Sequence, residues 1–189
     1  MNPHFIFNSL SSIQNFVLNK DTEKANEYLT KFGELTRSIL EASKEPFIAI
    51  EKELETLKNY VALESLRFSK QINLAVKLDQ EIDGSFDQIP PLFIQPLLEN
   101  AIKHGFKNKD SGTITLTLEK EKSQVHLSVE DDGEGITDEI TNHKSYALDI
   151  IRERLKATAK KFKFSTDLKI ESKAGEKGFR VKLTLPLVS

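Results

Sequence analysis

The sequence predicts an α+β chain: a helical bundle over the first third, then an α/β sandwich of mostly antiparallel sheet with helices on one face. Three observations predict it. Apolar residues recur at helical spacing between residues 3 and 68. The pattern then changes to strict alternation at Ile72-Asn73-Leu74-Ala75-Val76-Lys77-Leu78. Beyond that point, short β-patterned runs and two further helical stretches are interleaved up to residue 186.

The first helical stretch carries Phe5, Asn8, Ser9, Ser12 and Phe16 on one face, and Asn19-Lys20-Asp21-Thr22 ends it. Asp21 or Thr22 is the expected N-cap of a second helix holding Tyr28, Leu29, Phe32, Leu35, Ile39 and Leu40. Pro46 interrupts again, and Leu54, Leu57, Val61, Leu66 and Phe68 mark a third amphipathic helix from Ile50. Three such helices cannot cover all their apolar faces alone, so a hairpin that completes a bundle with a second copy is expected.

In the second half, 81–91 reads as a loop with Gly84, Pro90 and Pro91. Pro96 and Gly105 bracket a short helix over 95–105. Strands follow at Thr113–Leu118, Gln124–Asp132, 167–172 and 179–186, with a helix over 146–163 facing Leu148, Ile151 and Leu155 inward. The resulting division is 1–69 and 70–189.

Composition narrows the functional classes. The chain has 189 residues, 38% hydrophobic and 30% charged, which fits a folded globular protein. Its formal net charge is -2 and it has no basic block, so nucleic acid is not an expected partner. There is no cysteine, which excludes disulfides, thiolate metal sites and cysteine nucleophiles. The four histidines show no spacing suited to zinc. No apolar run reaches the ~20 residues that span a bilayer. The apolar helical pattern that starts at once from Met1-Asn2-Pro3-His4 suggests a piece cut from a longer chain.

Two stretches carry chemistry. In the helix Gln95–Gly105, Leu97, Leu98, Ala101 and Ile102 form a stripe to bury, while Asn100, Lys103, His104 and Lys107 share the other face with Glu99 at its edge. An amide, a carboxylate, amines and an imidazole on one wall exceed what packing requires. In the strand Val125–Asp132, Val125, Leu127 and Val129 point one way, and the alternation places Asp131 on that apolar side. A carboxylate there needs a partner. Gly133-Glu134-Gly135 follows, where backbone can come close to a flat, donor-bearing heterocycle, although Asp and Gly also suit a plain hairpin turn.

Together, Glu99-Asn100 on a helix and Asp131-x-Gly133-x-Gly135 after a strand resemble the N box and G1 box of the GHKL (Bergerat) ATP-binding fold. The N-terminal Asn2-Pro3-His4-Phe5-Ile6-Phe7-Asn8-Ser9-Leu10 resembles the Asn-Pro-His-Phe motif of LytS-like sensor histidine kinases. So do Tyr60–Phe68, Ile89–Asn100 and Arg152-Glu153-Arg154-Leu155, in the family's order. The resemblance implies ATP and Mg²⁺ as cofactors. Asn100 would ligate Mg²⁺, Lys103 and His104 would face the phosphates, and Asp131 would read the adenine amine beside Gly133 and Gly135. It implies that His4 accepts the γ-phosphoryl group, with Asn8 one turn on and Glu99 as a candidate base, since Phe5 stands where many relatives have an acid.

It further implies a homodimer, onward transfer to an aspartate of a response-regulator receiver domain, and a position on the cytoplasmic face, with membrane segments only upstream. A kinase-inactive signalling scaffold and a GHKL ATPase are the alternatives. The resemblance implies a short polar lid over about 136–145, and Ala147, just beyond it where the family commonly has glycine, favours the scaffold if the lid needs positive φ there. Glu64 and Arg67, an i, i+3 pair, read as a surface ion pair, and His126 and His143 as surface residues.

Overall fold

The computed structural model describes residues 3–135, 146–162, 164, 167–171 and 177–189, with side chains described from residue 5 and, in the last helix, from residue 151. Two helices open the chain, α1 (Pro3–Leu18) and α2 (Thr22–Ala42). Asp21 caps α2: its side chain accepts from the Lys24 backbone N–H at 3.1 Å, which satisfies one donor of the open first turn. A two-residue strand β1 (Ile48–Ala49) leads into α3 (Ile50–Phe68), which ends at Ser69 in the left-handed conformation.

The sheet is built from β2 (Gln71–Leu78), β4 (Ser111–Glu121), β5 (Gln124–Asp131), β7 (Phe179–Pro186) and β6 (Asp167–Ile170), in that order across it. β2 pairs parallel to β4; the other pairings are antiparallel. The short β3 (Gln88–Ile89) lies apart and pairs with β1, a two-residue ladder inside the stretch that reads as loop. Helix α4 (Gln95–Asn100) and helix α5 (Tyr146–Phe162) pack against each other. Along β5 burial alternates strictly, with Val125, Leu127, Val129 and Asp131 inward and Gln124, His126, Ser128 and Glu130 half exposed. One sheet face is therefore a core wall and the other meets solvent.

α3 does more than complete a bundle. It packs on α2 along one side and on β2 and α4 along the other, and its Leu57, Tyr60, Val61 and Leu63 are buried. Much of the apolar surface that the sequence leaves to a second copy is thus covered within the chain. The buried residues form one cluster running from Phe5 to Leu187. Phe5 anchors the start of α1 in it, its ring 5.8 Å from that of Tyr60 and 6.1 Å from that of Phe32. Phe7, Leu10, Val17 and Leu18 of α1 stay exposed, as do Leu29 and Leu40 of α2. Among the described residues, no helix is long and apolar enough to cross a membrane.

Candidate active site

The helix predicted over 95–105 changes its winding halfway. α4 ends at Asn100, and Ala101–Gly105 continues as a π turn. Such a turn adds a residue per revolution, so side chains that share a face in an ideal helix separate. Glu99, Ile102, Lys103 and Lys107 line a cavity of about 640 Å³, while Asn100 and His104 are not among its lining residues. Asn100 is half buried. Desolvation, then the charges of Lys103 and Lys107, hold the His104 imidazole below its ordinary pKa, so it is neutral near pH 7.

The π turn ends on Asp131. A Cβ on Gly105 would meet Asp131 Oδ1 at 2.7 Å, and one on Gly133 would run into the Gly105 carbonyl oxygen. Both positions therefore require glycine for close approach, not only for chain reversal. Asp131 is 3% exposed, and its Oδ1 accepts from the Gly133 N–H at 2.9 Å. Burial pushes its carboxyl up to about 6, opposed by the backbone N–H groups of Gly133 and Phe179. Glu134 N–H donates to the Gly105 carbonyl at 3.1 Å, and Gly178 N–H to the Gly133 carbonyl at 3.0 Å. Gly135 has φ 81°. The structure thus brings Asp131, Gly133, Gly135 and the end of the helix into one cradle. Gly105, marked in the sequence only as a helix end, and Gly178, which carries no sequence mark, close it with their backbone. The expected lid, 136–145, lies outside the described residues.

The cavity's other walls are α1 and α3. Asn8 joins Ser11, Ser12 and Phe5 on the α1 side; Tyr60, Glu64 and Arg67 form the α3 side. His4 falls in the first turn of α1, and its side chain lies outside the described residues. Glu64 is not a surface residue. It is 2% exposed, and its Oε2 meets Arg67 Nη2 at 2.8 Å. Burial pushes its carboxyl up to about 7, Arg67 pulls it down and Glu99 adds to the rise. The spacing of Tyr60 and Glu64, one turn apart on the inward face of α3, is the mark that could have found it. Arg67 also stacks over Phe68, 4.1 Å from its ring centre.

A second buried knot fixes the helices around the site. Arg154 of α5 donates to the Leu92 carbonyl at 2.7 Å and the Pro91 carbonyl at 3.1 Å, and stacks 4.5 Å over Phe93. Leu92, at φ 62°, donates its N–H to Glu53 Oε1 at 3.1 Å. This ties α5 and α3 to the turn just before α4. Ala147 sits inside α5, where its backbone is helical and alanine is an ordinary residue. His126 contacts Glu121 Oε2 at 2.8 Å and Thr184 Oγ1 at 3.1 Å on the solvent face; His143 lies outside the described residues.

The chain resembles known proteins over most of its length. The sequence profile described as "Histidine kinase-, DNA gyrase B-, and HSP90-like ATPase" matches residues 92–189, more than half the chain, and the profile described as "Histidine kinase" matches residues 1–72. The chain belongs to the histidine kinase family. Its ATP-binding domain is of the GHKL type, as the paired boxes imply.

The sensor protein LytS of Staphylococcus saprophyticus is 37% identical over 137 residues, 72% of this chain and 23% of that protein. The sensor histidine kinase YpdA of Escherichia coli is 36% identical over 138 residues, 72% of this chain and 24% of that protein. The chain therefore spans about a quarter of the length of the curated relatives it matches. Among solved structures, the histidine kinase domain of the Erythrobacter litoralis EL346 blue-light activated histidine kinase superposes with TM-score 0.55 at 17% identity. That match covers 86% of this chain and 74% of the other, and it shows a shared fold.

Proposed function

We propose that this chain transfers the γ-phosphoryl group of ATP to His4 and hands it on to an aspartate of a response-regulator receiver domain. The observation that carries the reading is one cavity with two kinds of wall. Asn8 and Phe5 of the His4 helix face Glu99 and Lys103 of the helix that leads into the Asp131 cradle. A phosphoryl donor held on one wall and an acceptor borne by the other need little further motion, and positioning dominates phosphoryl transfer.

On this reading, residues 1–69 form the dimerisation and phosphotransfer region and 70–189 the ATP-binding region. Asp131 accepts a hydrogen bond from the adenine amine, and Gly133 and Gly135 let the base approach. Lys103 and His104 attend the phosphates. The glycine-only contacts at 105 and 133 hold the helix end against Asp131, which keeps its carboxylate in place beside the loop. Among the described residues, no group of three or more His, Asp or Glu is placed to hold a metal ion. Asn100, on the helix beside the cradle, would hold Mg²⁺ together with phosphate oxygens, as suits a hard cation with few protein ligands. The ion supplies charge neutralisation to the triphosphate.

The exposed Phe7, Leu10, Val17 and Leu18 recur on α1 at spacings that suit a helix seam, and support a homodimer built there. The full-length protein would reach the membrane through segments upstream, which leaves this region on the cytoplasmic face. Incubation with γ-labelled Mg-ATP tests the function. Protein-bound label that is acid-labile, base-stable and absent from His4→Gln is expected. Label that persists in His4→Gln removes the acceptor assignment. Nucleotide binding without label supports a scaffold, and steady phosphate release without label supports an ATPase.

A further inference from the structure

We propose that Arg67 of α3 grips the terminal phosphate of the nucleotide, so that the helical region itself distinguishes a triphosphate from a diphosphate; this rests on the reading that the ATP phosphates reach the cavity between α3 and the π turn. Arg67, Lys70, Lys103 and Lys107 line that cavity against two carboxylates, Glu64 and Glu99. The excess is positive, and a concave site of one sign draws in ligands of the other. Its volume of about 640 Å³ is that of an ordinary ligand site.

The cations come from both halves of the chain. Lys103 lies in the π turn and Lys107 just beyond it, and neither has an ion-pair partner among the described residues. Arg67 stands on the facing wall, in the last turn of α3. Lys70 fastens the two walls together: its ammonium donates to the Phe106 carbonyl and, at 3.2 Å, to the Lys107 carbonyl. The π turn itself runs from Lys103 on the cavity wall to Gly105 packed on Asp131. With adenine at Asp131, the phosphates extend toward the cavity, and the one that comes nearest α3 is the last.

Arg67 is held ready for an anion. Its side chain is 16% exposed, stacks 4.1 Å from the Phe68 ring centre and meets Glu64 Oε2 at 2.8 Å. Ring and carboxylate together fix the plane of the guanidinium. No other acceptor among the described residues takes its remaining N–H groups, and a planar fork of donors suits phosphate oxygens. Glu64 leaves its buried Oε1 without a partner, so the pair does not satisfy itself. Burial pushes that carboxyl up to about 7, and a phosphate close by raises it further. The protonated form can then donate to a phosphate oxygen rather than repel it.

Isothermal titration of the whole chain with Mg²⁺ and either β,γ-imido-ATP or ADP tests the assignment, and the ratio of the two affinities is the readout. Arg67→Gln should weaken β,γ-imido-ATP by about tenfold or more and leave ADP within about twofold, because a charge-assisted hydrogen bond is lost only where the terminal phosphate is present. Arg67→Lys should recover part of the loss. Glu64→Gln keeps the arginine and should keep the wild-type ratio. The Arg67→Gln/Glu64→Gln pair leaves no buried carboxylate unpaired; it should repeat the loss of Arg67→Gln, and it carries the decision if the single variant fails to fold by circular dichroism. Equal losses for both nucleotides in a folded variant, or no loss for either, overturn the role of Arg67 while ATP binding stands. A wild type that binds neither nucleotide overturns the ATP-site reading and the assignment with it.

Discussion

Raising the pH from 5 to 8 should destabilise this protein, and Glu53→Gln should remove a defined part of that loss. Glu53 is 1% exposed, and burial pushes its carboxyl from the ordinary 4.5 up to about 7, against the pull of the Leu92 N–H and of Arg154. Between those values the folded chain keeps a proton that the unfolded chain has released, so stability falls as pH rises through the window. The contribution is full below about 4.5 and gone above about 7. At roughly 1.4 kcal/mol per pH unit, the gap corresponds to about 3 kcal/mol, a large share of the ~5–15 kcal/mol that holds a domain together.

Glutamine keeps an acceptor for the Leu92 N–H and cannot ionise. Urea unfolding of both proteins at pH 5 and pH 8 reads the effect. With a slope of ~2 kcal/mol per molar, the wild-type midpoint should drop by ~1.5 M more than that of Glu53→Gln, which should be the more stable protein at pH 8. Glu64 and Asp131 titrate with the same sign in both proteins and cancel from the comparison. Midpoints that fall in parallel would refute the assignment of a buried, proton-holding Glu53.

Four further outcomes follow from the geometry. Gly105→Ala drives a methyl group to 2.7 Å from Asp131 Oδ1, so calorimetry should show a loss of about 1–3 kcal/mol in stability, and nucleotide affinity should fall with it. Asp131→Asn should weaken ATP binding by roughly tenfold or more in isothermal titration, since a buried charge-assisted hydrogen bond is worth ~1.5–3 kcal/mol; unchanged affinity would remove Asp131 from adenine recognition. Val17→Lys with Leu18→Lys should convert dimer to monomer in light scattering while helical circular dichroism is kept, because both side chains are already exposed within one chain. Asp21→Ala should lower the thermal unfolding midpoint, with helical circular dichroism lost earliest from the start of α2, through the lost cap.

The fold was legible wherever a single chain-local rule decided it. The alternation of Val125, Leu127 and Val129 placed Asp131 inside, and one inward row is what the structure has. Asp21 announced the start of α2 because an N-cap uses only its own neighbours. What stayed hidden depended on distant partners. A Glu64–Arg67 pair looks the same in sequence on a wet helix face as on a dry one, and only the approach of α1 and α4 makes it dry. Glu53 is the same case, buried by Arg154 and Leu92, far from it along the chain. The π turn splits Asn100 and His104 from Lys103 because Gly105 must pack on Asp131, a constraint set by the strand. The β1–β3 ladder is two residues long, too short for any periodicity to mark.

The parallel pairing of β2 with β4 has a consequence for the order in which the molecule assembles. β2 and β4 are separated by β3, α4 and the π turn, and β7 must enter between β5 and β6. Those pairings close long loops and form late. The α1–α2 hairpin joins neighbours across a short turn and forms early. A chain emerging from the ribosome thus presents its helical hairpin, with the bare apolar side of α1, while the strand that carries Asp131 is still without β7. In the proposed homodimer, partner choice would then be open to newly made chains, ahead of any competence to hold nucleotide.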